Sequence, residues 1–297
     1  MDRGKRPMTA TRYGVLRHLE RVRHHLALEL DQAHMNAFAA WARDANALVF
    51  LPDASVRAPD GKILVAPGTG DPQPGAEVPF PADATKRKAA TEAVLESHGI
   101  RVPRSLPPVV SEAEVEIREA RDVASRLFSL FACAVRGESL ASGEPIAPAE
   151  LEKRLPLAFA AMSPKERKFV ADDAPAKQDV VNHVWRYEAV VPLAWAVGSL
   201  EALPFPSRAC DVPALAKMLF GVDAGSFISG ARLRGAGEML DALDLTFRLH
   251  WATTEARVKK AAVPAGVEPG VVAERHYALN WLTCFEGADW DDVTTPT

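Results

Sequence analysis

The sequence predicts an all-α protein. It reads as a single multi-helix globular domain around a buried central helix at residues 178–200, with an N-terminal helix and a small β-hairpin as an extension. Three observations carry this expectation. Residues 178–200 read Q-D-V-V-N-H-V-W-R-Y-E-A-V-V-P-L-A-W-A-V-G-S-L and are apolar almost all round, and a helix without a polar face belongs inside a domain, wrapped by other helices. Several further segments repeat apolar residues at helical spacing, joined by short connectors. No strand–helix alternation runs through the chain, which argues against a parallel α/β sheet.

The elements follow in order. Leu16, Leu19, Val22, Leu26, Leu30, Ala33, Ala37, Ala40 and Trp41 recur at helical spacing, which predicts one long helix or two short ones over residues 13–46. A-L-V-F-L-P-D and K-I-L-V-A then read as strands, with the A-P-D-G turn at residues 58–61 before the second, hence a hairpin. Residues 66–82 are rich in proline and glycine and read as a connector. Asp83 is placed to cap a helix that stops at Gly99. Ser111 with Glu114 has the pattern of a capping box, opening a helix over residues 112–136 with Gly137 at its end. A short helix over residues 148–155 follows. Ser163-Pro164-Lys165-Glu166 repeats the start signal with proline at the first helical position. After the central helix, Asp211 caps a helix ending near Gly221, Ser229 opens a third long helix to about Val258, and a last helix spans about residues 270–285. The expected division is 1–83, the helical extension with hairpin and connector, and 84–297, the helical domain.

Composition excludes several classes. The chain has 297 residues, 48% of them hydrophobic and 25% charged, enough for a core that needs no staples. The net charge of −4 gives no general affinity for nucleic acid. Cys133, Cys210 and Cys284 are far apart and lack C-x-x-C spacing, which argues against a disulfide framework and a cysteine zinc site. No stretch reaches the roughly 18 apolar residues of a membrane span, and the expected location is the cytoplasm. Residues 1–30 gather Arg3, Lys5, Arg6, Arg12, Arg17, Arg21 and Arg23 against Asp2, Glu20 and Glu29. The last twelve residues hold Glu286, Asp289, Asp291 and Asp292 and no base; this asymmetry marks either a solvated head and tail or a basic helix that docks on an acidic partner or membrane surface.

Searches for a nucleophile elbow, a phosphate loop, a dinucleotide fingerprint, an H-E-x-x-H zinc motif and an EF-hand loop find none of these patterns. His25 and Glu29 sit one turn apart, too small a set for a metal site, and no metal or cofactor is expected. The densest polar set lies on the last two long helices. Asp241, Asp244, Arg248 and His250 fall on one; Arg275, His276 and Asn280 fall on the other, followed by Trp281 and Asp289. Asp244 and Arg248 form an i,i+4 pair placed on the polar side of their helix. Arg275 falls on an apolar face and needs an acidic partner, for which Asp241 or Asp289 is available. On the central helix, Arg186 and Glu188 are charges in apolar surroundings. Glu188 shares a face with Val181, Val184, Val191 and Trp195, so an arginine from a neighbouring helix is expected to answer it, Arg126 the first candidate and Arg275 the second; the alternative is a ligand-binding or catalytic acid whose pKa is raised by burial.

W-R-Y-E-A (185–189), L-A-W-A-V-G (193–198), L-D-A-L-D (240–244), R-L-H-W-A (248–252), E-R-H-Y-A-L-N-W-L (274–282) and D-W-D-D-V-T-T-P-T (289–297) stand in this order. With R-K-A-A-T-E near Arg87 they resemble a mainly bacterial family, domain-of-unknown-function family 4272, over roughly residues 84–297. The resemblance implies a helical domain and carries over no catalytic residue. Pro192 stands where the pattern has an ordinary apolar residue, which bears on the straightness of the central helix. Together these readings lead to a helical binding or accessory protein that acts through a protein partner. The alternative is a small-molecule hydrolase or transferase using an Arg/His pocket between the last two long helices.

Overall fold

The computed structural model describes residues 8–22, 24–264 and 266–297. Arg3, Lys5, Arg6 and Arg23 of the basic head lie outside the described residues, as does the side chain of Arg21. Backbone contacts divide the chain into two compact units, Met1–Lys88 with Pro103–Ser111, and Ala89–Val102 with Glu112–Thr297. The division falls inside the third helix and returns residues 103–111 to the first unit.

In the first unit, α1 (Ala10–Arg21) starts at Thr9, whose hydroxyl accepts the Arg12 N–H. A 3-10 turn at Gln32–His34 leads into α2 (Met35–Asp44). Residues 24–31 between them are outside any helix. Leu28 falls two residues from both Leu26 and Leu30, so a helix would set it on the face opposite to theirs and leave one side exposed whichever face packed. The expected hairpin is a three-stranded antiparallel sheet of β1 (Val49–Phe50), β2 (Val56–Arg57) and β3 (Ile63–Val65), in that order. The turn at 58–61 joins β2 to β3, with Gly61 at φ +86°. Val15 of α1 packs with Val56, Ala58 and Leu64 into a small core.

The second unit begins within α3 (Ala82–Ser97). It holds α4 (Ala120–Ala141), α5 (Pro148–Arg154), α6 (Pro156–Ala160), α7 (Pro164–Ala171), α8 (Lys177–Val184), α9 (Arg186–Ala196), α10 (Val212–Phe220), α11 (Ala224–Gly230), α12 (Ala236–Val258) and α13 (Pro269–Leu282). The capping box at Ser163 forms as its sequence dictates, with Glu166 returning a bond to the Ser163 N–H. Asp211 caps α10 through the Ala214 N–H.

The central helix is two helices that meet at Trp185, where the Glu188 N–H bonds back to the Trp185 carbonyl in a tightened turn. Only the second is a core helix: every residue from Tyr187 to Ala196 is buried, while α8 buries none completely. α9 packs against both α4 and α13, and α12 packs against α13. Gly137 is interior to α4, not its end. A side chain there would lie 3.1 Å from the Val184 nitrogen and 3.2 Å from the Val180 carbonyl oxygen, so glycine lets α4 and α8 approach.

Three helix starts and stops differ from expectation for one kind of reason: an arginine takes backbone carbonyls. Arg118 donates to the carbonyls of Trp281 and Ala288, and its own N–H bonds the Leu282 carbonyl, so residues 115–119 run along the end of α13 and α4 opens only at Ala120. Arg234 donates to the carbonyls of Trp195, Leu200 and Glu201, and its N–H bonds that of Ala196. It thereby closes the C-terminus of α9 and delays α12 to Ala236.

Candidate functional site

The Glu188 side chain projects from α9 at 2% exposure and is answered by Arg275 on α13, with Nη2 3.4 Å from Oε2. Arg126, the first candidate from sequence, pairs instead with Glu166 at 2.5 Å. The choice follows from packing, since α13 lies against α9 and carries Arg275 toward it. The other Glu188 oxygen accepts the Cys210 N–H, and Arg275 Nη1 donates to the Pro204 carbonyl at 2.6 Å. Thus the loop between α9 and α10 closes over the pair. Burial lowers the basicity of Arg275, while the Glu188 charge acts in the opposite sense. The Cys210 thiol is pushed up to about 12, by burial first and by Glu188 next; such a thiol is a poor nucleophile at neutral pH. Asp241 and Asp289, considered as partners of Arg275, are both exposed and make no ion pair with it.

A second cluster adjoins the first. Arg186 pairs with Glu274 at 2.9 Å, and its guanidinium lies 5.0 Å from the ring centroid of Tyr277 and 5.6 Å from that of Trp290. Burial raises the pKa of Glu274, with Arg186 opposing. Arg126 lies 5.7 Å from the Trp281 centroid and 5.3 Å from that of Trp290, and Arg118 lies 4.5 Å from Trp281. Trp290 meets Tyr277 and Trp281 edge-on. Guanidiniums over indole faces gain from the ring quadrupole, about 0.5–2 kcal/mol each according to exposure. Sequence reading named Arg126, Arg186 and Trp281 but missed Glu166, Tyr277, Trp290 and Asp291. The tail D-W-D-D, read as a solvated acidic end, places Asp291 on the start of α7. Its carboxylate accepts the Ser163 hydroxyl at 2.6 Å and the Lys165 N–H at 3.0 Å.

The last two long helices hold two further groups. Asp244 and Arg248, expected on a polar side, are completely buried and joined by two bonds of 2.8 and 3.0 Å, with Glu92 of α3 at 3.7 Å. His250 and His276 share a hydrogen bond between their Nδ1 atoms at 2.8 Å, with rings perpendicular. Burial holds His250 down to about 4 and His276 down to about 3, so both are neutral at pH 7. One imidazole must therefore present Nδ1–H and the other an Nδ1 lone pair. Asn280, one turn beyond His276, donates to the Thr294 carbonyl at 2.8 Å and fastens the tail.

Arg275, His276, Asn280 and Trp281 are thus between 2% and 5% exposed and packed against protein groups. A shallow depression in this unit lies elsewhere, between Ile100, Trp251, Ala256 and Pro264. Among the described residues no group of three or more His, Cys, Asp or Glu side chains is placed to hold a metal ion, and no single helix is long and apolar enough to cross a membrane.

These features define a class: a mostly helical domain whose helices are pinned by buried ion pairs and by arginine–aromatic contacts. The family model described as a domain of unknown function (DUF4272) matches residues 87–293, and the chain belongs to that family. The match runs from within α3 through the D-W-D-D tail. No curated protein and no solved structure matches the chain.

Proposed function

We propose that the protein is a bacterial, cytoplasmic binding or accessory protein whose first unit takes a protein partner. The observation that carries this reading is a run of exposed leucines. Leu26, Leu28 and Leu30 are 65%, 54% and 44% exposed, and Leu16 and Leu19 of α1 are 42% and 37% exposed. Large apolar side chains gathered in one short stretch mark an interaction surface, whereas scattered ones need no explanation. The surrounding charge of residues 1–30 is basic, so the partner fits best if it offers an apolar groove with an acidic rim. The charged side chains at the alternative centre of activity in the second unit form ion pairs with one another and its two histidines bond each other, which favours binding over catalysis.

A photo-crosslinking amino acid at Leu19, in cells, tests this directly. The expected result is one reproducible protein adduct, absent when the same group replaces Val258 on α12, which is 69% exposed. The purified partner then binds the parent chain, and Leu26→Lys/Leu28→Lys weakens binding about tenfold or more, the loss of a buried apolar anchor. Equal labelling from both positions overturns the reading.

A further inference from the structure

We propose that the tail over residues 289–293 is a detachable strap, and that the cradle beneath it binds an acidic–aromatic segment of a partner protein. This inference concerns the second unit and stands apart from the role given to the leucines of the first. The chemistry the cradle recognises is displayed by what now fills it. Trp290, 3% exposed, enters between the guanidiniums of Arg126 and Arg186 and against the edges of Tyr277 and Trp281. Asp291 sets its carboxylate on the N-terminus of α7, against the Ser163 hydroxyl and the Lys165 N–H, while Lys165 Nζ donates to the Asp291 carbonyl at 2.6 Å. An indole followed by a carboxylate is therefore the pattern read: one anchor for the arginine–aromatic slot, one anion for the helix end.

Two independent features argue that the strap can leave. It is joined to α13 through Cys284 at φ +48°, Glu286 at φ +57° and Gly287 at φ +65°. Two of these three are non-glycine residues in the left-handed region, so backbone strain is stored at the turn that leads into the strap. The cradle is also incompletely satisfied. Arg126 Nε and Glu166 Oε1 are buried and make no hydrogen bond. A competing segment with one more polar group beside its indole would satisfy them and so gain binding energy that the strap lacks, to set against the strap's higher effective concentration.

The probe is a fluorescein-labelled peptide of residues 288–297, A-D-W-D-D-V-T-T-P-T, titrated with full-length chains. Fluorescence anisotropy is expected to show binding to the Trp290→Ala chain, whose strap has lost its anchor, about tenfold or more tighter than to the parent. Replacing Trp by Ala in the peptide, or adding Arg186→Ala to the chain, should remove it. No binding by a Trp290→Ala chain with the parent's circular dichroism overturns the proposal. If that chain does not fold, hydrogen exchange on the parent decides. Amides of residues 289–293 should exchange through a local opening, about a hundredfold faster than those of α9, and equal protection overturns the proposal. A dimer formed at rising concentration by exchange of tails identifies the occupant as a second copy, and overturns the assignment to a partner.

Discussion

The leucines of residues 16–30 and the α9–α13 junction handle awkward side chains in opposite ways. In the first, apolar side chains remain between 37% and 65% exposed. In the second, charges stand in the apolar interior and are covered by one another. Apolar exposure costs free energy in proportion to area, about 25 cal/mol per Å², and is relieved by any surface that fits. A buried charge is more demanding, because only a group of opposite charge in the right place relieves it. The first arrangement suits a surface that must remain available. The second suits a framework that must fold one way.

The sharpest way to break this contrast is to remove one charge from the interior. Glu188→Ala leaves Arg275 with one remaining bond, to Pro204, and leaves the Cys210 N–H without its acceptor. Breaking a buried pair in this way costs about 3–5 kcal/mol, so the urea midpoint should fall steeply. Glu188→Leu with Arg275→Met should recover much of the loss, because the desolvation penalty disappears with both charges. An unchanged midpoint for Glu188→Ala would show that the pair does not fasten α9 to α13.

How much of this was legible beforehand depends on how local the determining interaction is. The Ser163–Glu166 capping box is a matter of four consecutive residues, and it formed where the sequence placed it. That Glu188 called for a cation was also legible, since an ionised carboxylate at that point of an apolar stripe cannot stay unpaired. Which arginine was not, because Arg126 and Arg275 are equally good donors until helix packing selects one. Asp244 and Arg248 were read as a surface pair, since i,i+4 spacing is the same in water and in the core; only α3 and α13 around them decide. The late starts of α4 and α12 were hidden for a similar reason. Arg118 and Arg234 draw their segments out of helix toward carbonyls far along the chain, at Trp281 and Ala288 and at Trp195, Leu200 and Glu201.

A smaller and pH-dependent effect comes from the two histidines. Unfolded imidazoles take up protons near pH 6.5, while His250 and His276 in the fold do so at about 4 and about 3. Between those limits the unfolded chain binds more protons, so the contribution is fully present above about pH 6.5 and is lost as the pH falls toward 4 and then 3. The first proton, on Nε2 of the donor ring, leaves the Nδ1–H···Nδ1 bond intact; the second breaks it. A His276→Gln chain keeps a donor and an acceptor beside His250 but has one fewer buried imidazole. Denaturation midpoints measured from pH 7 to pH 5 should therefore fall less for this variant than for the parent. Equal slopes would mean that His276 takes up its proton in the fold over the same pH range as in the unfolded chain.

The smallest effect belongs to the leucines, and it completes the contrast. Leu26 and Leu28 lie in a segment outside any helix and are more than half exposed, so little apolar area leaves water there when the chain folds. Exposed substitutions away from special features change stability by about 0.5 kcal/mol or less. Leu26→Lys/Leu28→Lys should consequently unfold within that margin of the parent, while Leu64→Ala, at a fully buried position in the core of the same unit, should cost about 2–5 kcal/mol. The double lysine chain should also stay dispersed at concentrations where the parent begins to associate, because it removes two members of an apolar patch. Were the double lysine change to destabilise the protein as much as Leu64→Ala, those leucines would be core residues, and the partner-binding role assigned to them would fall with that result.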